Sequence, residues 1–305
     1  MKKTIRIGTR DSQLALWQAN TVADKLQQLG YSTELLPVKS AGDVILDKPL
    51  YEFGITGIFT KTLDVAMIAG QIDIAVHSMK DVPTALPKGI VQAAVLERET
   101  SLDILVTPHR VDAVDALTVA TGSLRRKAQW LHRYPHHRVV DLRGNVNTRL
   151  QKLQDNGWDG AIFAAAGLKR IGIMPEHVTI LDWMIPAPAQ GAVVVAAMEH
   201  DAYSREALSK LNNRDAEICT QVERQFLRTL EGGCTAPIGA LATVVGDVIR
   251  FEGALFSLDG VEKIHLEKSA PVTHFAHFGR ECAEEVLAQG GEALMQKIRN
   301  QMKPE

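Results

Sequence analysis

One plan occurs twice in this chain. Ile5-Arg6-Ile7-Gly8-Thr9-Arg10-Asp11-Ser12 has a counterpart in Thr118-Val119-Ala120-Thr121-Gly122-Ser123-Leu124-Arg125, and Gly70-Gln71-Ile72-Asp73-Ile74-Ala75 has one in Gly157-Trp158-Asp159-Gly160-Ala161-Ile162. In each half a short apolar run ends in a small-residue turn and opens a segment of helical period. The periods predict strands over 4–8, 33–38 and 71–77 with helices over 13–29 and 58–69, then strands over 117–121, 138–143 and 158–164 with helices over 123–133 and 146–156. Strands alternating with helices pair in parallel, so two βαβαβ domains are expected, each with a ligand-facing edge at its strand ends. Glu97–Thr100 and the segment near Ala196–His200 are expected to cross between them, and two crossings imply a hinged cleft. The first helix is expected to be amphipathic, with Leu14, Leu16, Trp17, Val22 and Leu26 on or near one face, and to stop at Gly30.

The style changes after Asp215. Residues 217–230 read as a helix and 231–237 as a loop. Three alternating runs follow near 238–246, 248–257 and 261–269, parted by Gly246-Asp247 and Asp259-Gly260 turns, and two helices near 274–288 and 291–301 close the chain. The expected fold is therefore α/β: two domains of one kind plus a C-terminal α+β domain with a three-stranded antiparallel sheet. Residues 1–96 and 197–215 form the first domain, 97–196 the second and 216–305 the third.

The chemistry concentrates at the helix starts. Ser123 is a plausible N-cap, and the turn after it should favour Asp or Glu because a helix N-terminus carries partial positive charge. It carries Arg125, Arg126 and Lys127 instead, and the next strand–helix junction places Arg143 and Arg149 in the same way. A single basic turn can be a solvated face. Two of them at strand ends fit an anion with several negative groups, because that edge is where open α/β sheets bind ligands. Arg10 and Ser12 mirror the basic turn in the first half, and Lys169 and Arg170 follow the counterpart of the turn that holds Lys80 and Asp81. A lone carboxylate among arginines, Asp81, suits stabilising a transient cation or passing a proton to a leaving amine.

Composition excludes several classes. The net charge over 305 residues is −2, so no global field favours nucleic acid. The N-terminus has no apolar h-region, and the longest apolar run, Ala192–Met198, is too short to span a bilayer. Cys219, Cys234 and Cys282 are odd in number and lack CxxC spacing, which argues against a disulfide framework or a zinc site and suits a reducing cytoplasm. His132, His136 and His137 lack a completing carboxylate or thiol, so no metal is expected. Cys234 lies in a loop after two glycines. A helix C-terminus just before it disfavours a standing thiolate, so it suits a single attachment better than repeated nucleophilic attack.

Five motifs then stand in order: His77-Ser78-Met79-Lys80-Asp81-Val82-Pro83-Thr84, Gly122-Ser123-Leu124-Arg125-Arg126, Leu142-Arg143-Gly144-Asn145-Val146-Asn147-Thr148-Arg149, Ala165-Ala166-Gly167-Leu168-Lys169-Arg170 and Gly233-Cys234-Thr235-Ala236-Pro237-Ile238-Gly239. Together they resemble the porphobilinogen deaminase (hydroxymethylbilane synthase) family over essentially the whole chain. The resemblance implies three domains, the first two built like a periplasmic binding protein, and a cytoplasmic monomer that acts on no nucleic acid or membrane. It implies a dipyrromethane cofactor joined by thioether to Cys234. Four porphobilinogen molecules would be deaminated and added head to tail, and the linear hydroxymethylbilane released by water. Asp81 matches the catalytic aspartate and also lies beside the cofactor. Lys80, Thr121, Ser123, Arg125 and Arg126 match cofactor-binding residues. Arg10, Ser12, Phe59, Arg143, Arg149, Arg170 and Gln190 match substrate-binding ones. One departure is Gly54-Ile55-Thr56-Gly57, where the family pattern carries a lysine among the glycines.

Two other readings fit parts of the pattern. A solute-binding protein of the same two-domain shape would need export and would have no use for Cys234. A ligand-sensing regulator would need an effector domain, and no helix-turn-helix pattern or basic helix supports one.

Overall fold

The computed structural model describes residues 3–38, 60–110, 116–230 and 236–302. Their contacts fall into two units. One holds 3–38, 60–99 and 191–217; the other holds 100–110, 116–190 and the described residues from 218 onward.

In chain order the first elements are β1 (Ile5–Arg10), α1 (Gln13–Gln28), β2 (Thr33–Val38), α2 (Lys61–Ile68), β3 (Ile74–Ser78) and β4 (Ile90–Val95). The middle of the chain supplies β5 (Asp103–Thr107), β6 (Thr118–Ala120), α3 (Leu124–Arg133), β7 (Arg138–Val140), α4 (Val146–Asp155), β8 (Gly160–Ala164), α5 (Ala165–Arg170) and β9 (His177–Leu181). Then come β10 (Val193–Met198), α6 (Ala202–Ser209), α7 (Arg214–Thr229), β11 (Ile238–Val245), β12 (Val248–Phe256), β13 (Lys263–Pro271), α8 (Phe275–Val286) and α9 (Glu292–Gln301).

The doubled plan is real at the level of hydrogen bonds. The first unit's sheet has the order β2-β1-β3-β10-β4, and the second unit's has β7-β6-β8-β5-β9. In each, three strands run parallel, and the fourth position is taken by an antiparallel strand that has just come from the other unit: β10 in the first, β5 in the second. The matching words have matching jobs. Gly70 and Gly157 both turn the chain with positive φ, 69° and 60°. The aspartate that follows each then accepts a backbone N–H from the start of a strand, Asp73 from Arg6, the second residue of β1, at 2.8 Å and Asp159 from Thr118, the first of β6, at 2.6 Å. Asp73 also takes the Arg6 guanidinium by two bonds of 3.0 Å.

Three expectations change. The return crossing lies at 190–191, because all of Val193–Met198 pairs within the first sheet; residues 193–196 were assigned to the second domain from sequence. This run is buried along nearly its whole length, as a central strand covered on both faces must be, and so shows no alternation to date its start. The buried stripe of α1 is Ala15, Ala19, Val22, Ala23 and Leu26 with Gln18, while Trp17 stays 39% exposed. A helix laid closely on a sheet favours small residues at the contact, and Trp17 is displaced to the flank. Strands β4, β5 and β9 were not anticipated.

In the second unit, β11, β12 and β13 form an antiparallel meander in continuous register, Ile238 opposite Leu255 and Val248 opposite Pro271. Helices α7, α8 and α9 cover it, and Phe226, Phe251 and Phe278 pack at the centre with ring centroids 5.0 and 6.2 Å apart. The turn after β12 seats this sheet on α3. There the Gly260 carbonyl accepts from His132 Nδ1 at 2.7 Å, which fixes the proton on Nδ1, and Phe256 meets the His132 ring edge-on at 5.4 Å.

Gly260 has φ 78°, and a Cβ there would collide with the Ala128 carbonyl. Gly260→Ala is expected to lower stability by about 2–4 kcal/mol, from left-handed backbone strain plus overpacking. Urea unfolding measures it, and a wild-type midpoint would show that the turn does not press on α3.

Candidate active site

In each unit the helix that follows the turn after the first parallel strand, α1 in one and α3 in the other, has no acid in its first turn. In the first, β1 ends in Arg10, and Ser12 caps α1 by accepting from Ala15 N at 3.4 Å. The cap uses a hydroxyl lone pair, so the hydroxyl proton can still be donated to an anion. The buried Thr9 hydroxyl donates to Ala15 O at 3.0 Å and stiffens this turn, whose first helical residues include no acid. Strand β3 then delivers a single 3-10 turn, Met79–Asp81. Met79 is buried and its N–H donates to Ala192 O at 3.0 Å, while the Ser78 hydroxyl accepts from Gln18 Nε2 at 2.8 Å. This anchoring leaves Lys80 and Asp81 half-buried on the outer side of the turn. His77, just before it, is buried, and burial followed by the charge of Arg10 pushes its pKa down to about 4. The imidazole is therefore neutral at pH 7, and Arg10 carries the positive charge beside it.

The second unit holds the tighter cluster. Ser123 caps α3, accepting from Arg126 N at 3.4 Å, and its own N–H donates to the buried Thr121 hydroxyl at 3.3 Å. Arg125 and Arg126 do not face outward as a basic surface turn would. Each is only 5% exposed, and both converge on Asp103, the wholly buried first residue of β5. Arg126 donates Nε and NH2 to Asp103 Oδ1 at 3.0 and 2.7 Å and NH1 to Ile162 O at 2.9 Å. Arg125 lies 2.8 Å from Asp103 Oδ2 through NH2 and donates NH1 to Ile185 O at 2.7 Å. Burial pushes the Arg125 pKa down, and Asp103 opposes that push. Gln190, also wholly buried, donates Nε2 to Asp103 Oδ1 at 2.9 Å and to Ser101 O at 2.7 Å. Two guanidinium groups against one carboxylate leave one net positive charge at an N-terminus with no acid in its first turn.

The turn before Gln190 is held from the C-terminal part of the chain. Ala189 has φ 63°, the one positive value for a non-glycine among the described residues, and its N–H donates to Glu223 at 2.6 Å. The other oxygen of Glu223, in α7, accepts from Ala242 N at 2.7 Å, which ties this turn to β11.

The remaining candidates sit as follows. Arg143 follows β7 and is buried, with its pKa lowered by burial against the pull of Asp141. Arg149, in α4, donates Nε to Gly144 O at 2.8 Å, and Asn145 caps that helix, which also lacks an acid in its first turn. Arg170 ends α5, half-buried. Phe59, Cys234 and the Gly54–Gly57 loop lie outside the described residues. Of the three histidines named above, His132 Nδ1 donates to Gly260 O, and His137 Nδ1 accepts from Trp130 Nε1 at 3.3 Å. Among the described residues Glu252, His265 and Glu267 bring possible ligand atoms within 4.8 Å on an outer sheet surface. No helix among the described residues is long and apolar enough to cross a membrane.

Asp103, Glu223 and His77 were not singled out from the sequence as site residues. The usable signal for Asp103 was a lone carboxylate directly before the apolar run Ile104-Leu105-Val106 in a chain that also offers an unbalanced arginine pair.

The family model described as "Porphobilinogen deaminase, dipyromethane cofactor binding domain" matches residues 5–206, and "Porphobilinogen deaminase, C-terminal domain" matches 217–288. The chain belongs to the porphobilinogen deaminase family. The porphobilinogen deaminase of Pelobacter propionicus is 41% identical and is covered to 97% by 97% of this chain. That of Pelotomaculum thermopropionicum is 41% identical over the full length of both. Among solved structures, the periplasmic VFT2 domain of Bordetella pertussis BvgS is 15% identical and aligns at a TM-score of 0.42 over 68% of this chain and 86% of its own.

His77 makes a pH prediction. Its folded pKa of about 4 lies below the ordinary 6.5, so the unfolded chain takes up the proton first as pH falls. The stabilisation is complete above pH 6.5 and disappears as pH drops towards 4, a loss of about 3 kcal/mol. Urea unfolding between pH 7 and 4.5 should show this component in the wild type and not in His77→Gln. Equal slopes in the two proteins would contradict it.

Proposed function

We propose that this chain joins four porphobilinogen molecules head to tail with loss of ammonia and releases hydroxymethylbilane. The observation that carries the reading is the acid-free start of α3, with Arg125 and Arg126 aimed by Asp103, within the stretch matched as a dipyrromethane-binding domain. Each pyrrole brings an acetate and a propionate, and charge-assisted pairing to arginine is the strong way to hold them.

The chemistry balances simply. In each addition the C–N bond of the aminomethyl arm breaks and ammonia leaves with its electron pair. A C–C bond forms from the terminal pyrrole of the growing chain, whose displaced ring proton is lost. Water takes the pyrrole's place at release, so four porphobilinogen and one water give one hydroxymethylbilane and four ammonia.

The donor set fits an acid-bearing cofactor: the Ser123 hydroxyl, two guanidiniums with one counterion, and first-turn N–H groups without an acid. Dipyrromethane, when bound, supplies the first pyrrole carbon to which substrate is joined. Lys80, Thr121, Ser123, Arg125 and Arg126 hold its carboxylates. Arg10, Ser12, Arg143, Arg149 and Arg170 hold those of incoming and growing chain, with Phe59 as an aromatic neighbour and Gln190 supporting Asp103. Asp81 passes a proton to the departing amine and stabilises the cation that remains. Its turn, anchored by buried Met79, supports that role by fixing where the carboxylate stands. The missing lysine in the Gly54–Gly57 loop weakens that loop's grip on carboxylates and leaves the reaction class unchanged.

Cys234 is the attachment point. Cys219 and Cys282 are buried, and burial pushes the Cys282 thiol up to about 12, which makes it inert. The C-terminal match beginning at 217 supports treating the residues from about 216 as an attachment domain. The chain works as a cytoplasmic monomer.

Intact mass tests attachment: purified protein is expected to carry an excess of two pyrrole units, lost in Cys234→Ala. A bare wild-type mass contradicts the reading. Asp81→Ala should fold normally and yet fall in turnover by about a hundred- to ten-thousandfold, the range of a lost acid–base group. Normal turnover in a porphobilinogen assay would remove Asp81 from its role. Arg143→Ala should accumulate partly extended chains, seen as a ladder of covalent masses in native mass spectra; a wild-type ladder and rate would take Arg143 out of the site.

A further inference from the structure

We propose that Asp103, itself oriented by Gln190, is the positioning residue that aims Arg125 and Arg126 at the cofactor carboxylates. The inference rests on the reading that the chain carries dipyrromethane. It concerns a residue that touches neither substrate nor cofactor and acts only through the arginines.

The geometry assigns Asp103 this part. A carboxylate has two oxygens: here Oδ1 accepts from one guanidinium, and Oδ2 lies at ion-pair distance from the other. Oδ1 takes Nε and NH2 of Arg126, and Oδ2 faces NH2 of Arg125 at 2.8 Å. Binding through two nitrogens fixes the plane of the Arg126 fork as well as its place. The outer nitrogen of each arginine is fixed separately, by Ile162 O and Ile185 O. Both side chains are therefore set before any ligand arrives, with one carboxylate as the shared reference point.

Charge points the same way. Arg125 and Arg126 are adjacent and buried, and the charge of Arg126 acts against that of Arg125. Without Asp103 they would repel and turn outward. With it, the pair stays close, keeps one net positive charge, and lies on the helix start that Ser123 caps. Gln190 acts on the same carboxylate from the other side. Its Nε2 is committed to Ser101 O and Asp103 Oδ1, and the residue has no exposed surface, so its influence on a ligand is indirect.

Asp103→Asn separates aim from bulk. It keeps the volume and one acceptor oxygen, removes the charge, and puts an N–H donor where a guanidinium needs an acceptor. In the soluble, folded fraction, with fold checked by circular dichroism and thermal melting, intact mass should show a loss of dipyrromethane occupancy relative to the wild type. In the molecules still loaded, kcat should fall by about ten- to a hundredfold, the scale of an ångström-sized misplacement. The KM for porphobilinogen should move by less than about threefold, because the disturbed contacts are to the cofactor. Gln190→Ala removes one support of the carboxylate and should shift occupancy and kcat in the same direction by a smaller factor. It carries the test if Asp103→Asn does not fold.

A melting point lowered with wild-type occupancy and wild-type kcat would mean a structural role only, and would overturn the inference. So would Gln190→Ala with both values unchanged. Wild-type protein without the two-pyrrole mass is a different failure: it overturns the proposed function first, and this inference with it.

Discussion

A single buried carboxylate sets the terms for the site. Asp103 has no exposed surface, yet it takes two guanidiniums and an amide. Removing one partner of a buried ion pair costs about 3–5 kcal/mol, because the other charge is left without compensation. That makes the cluster stiff. It is also not neutral. One positive charge remains, at a helix start where the backbone adds partial charge of the same sign.

Much of the second unit is arranged to keep this cluster in place. The segment from Ile185 to Gln190 works as a strap. Ile185 O accepts from Arg125 and from Gln129, and Ile185 N donates back to Gln129. At its far end, Glu223 holds the left-handed turn at Ala189 that turns Gln190 towards Asp103. Gly239, near the start of β11, lies against Ile185, so the C-terminal sheet touches the same strap. The Gly260 turn presses on α3 a few turns beyond the arginines. Local backbone strain at Ala189 is thus tolerated where it places a functional neighbour.

The sequence made the local features legible and left the long-range ones hidden. Ser123 reads as a cap because a cap is a contact over three residues, and it does cap. The strand at 33–38 and the turn at Gly246-Asp247 came out directly, since alternation and turn chemistry are written in neighbouring residues. The counterion of Arg125 and Arg126 did not. Asp103 comes from a strand that lies apart in the chain and enters the sheet against the others, and its apolar run shows no period. The arginines therefore read as a basic turn awaiting an anion, when half of their charge is already answered. Trp17 differs for a related reason: helical period puts it on or near the apolar face, while close helix–sheet packing selects alanines.

The most direct measurement is a crystal structure of the purified protein loaded with dipyrromethane. Electron density should show a pyrrole acetate or propionate carboxylate on the Ser123, Arg125 and Arg126 donors, with Asp103 still bridging the two guanidiniums behind it. Dipyrromethane carboxylates held elsewhere, with Arg125 and Arg126 turned away from them, would contradict the view that Asp103 preorganises an acid-binding helix start.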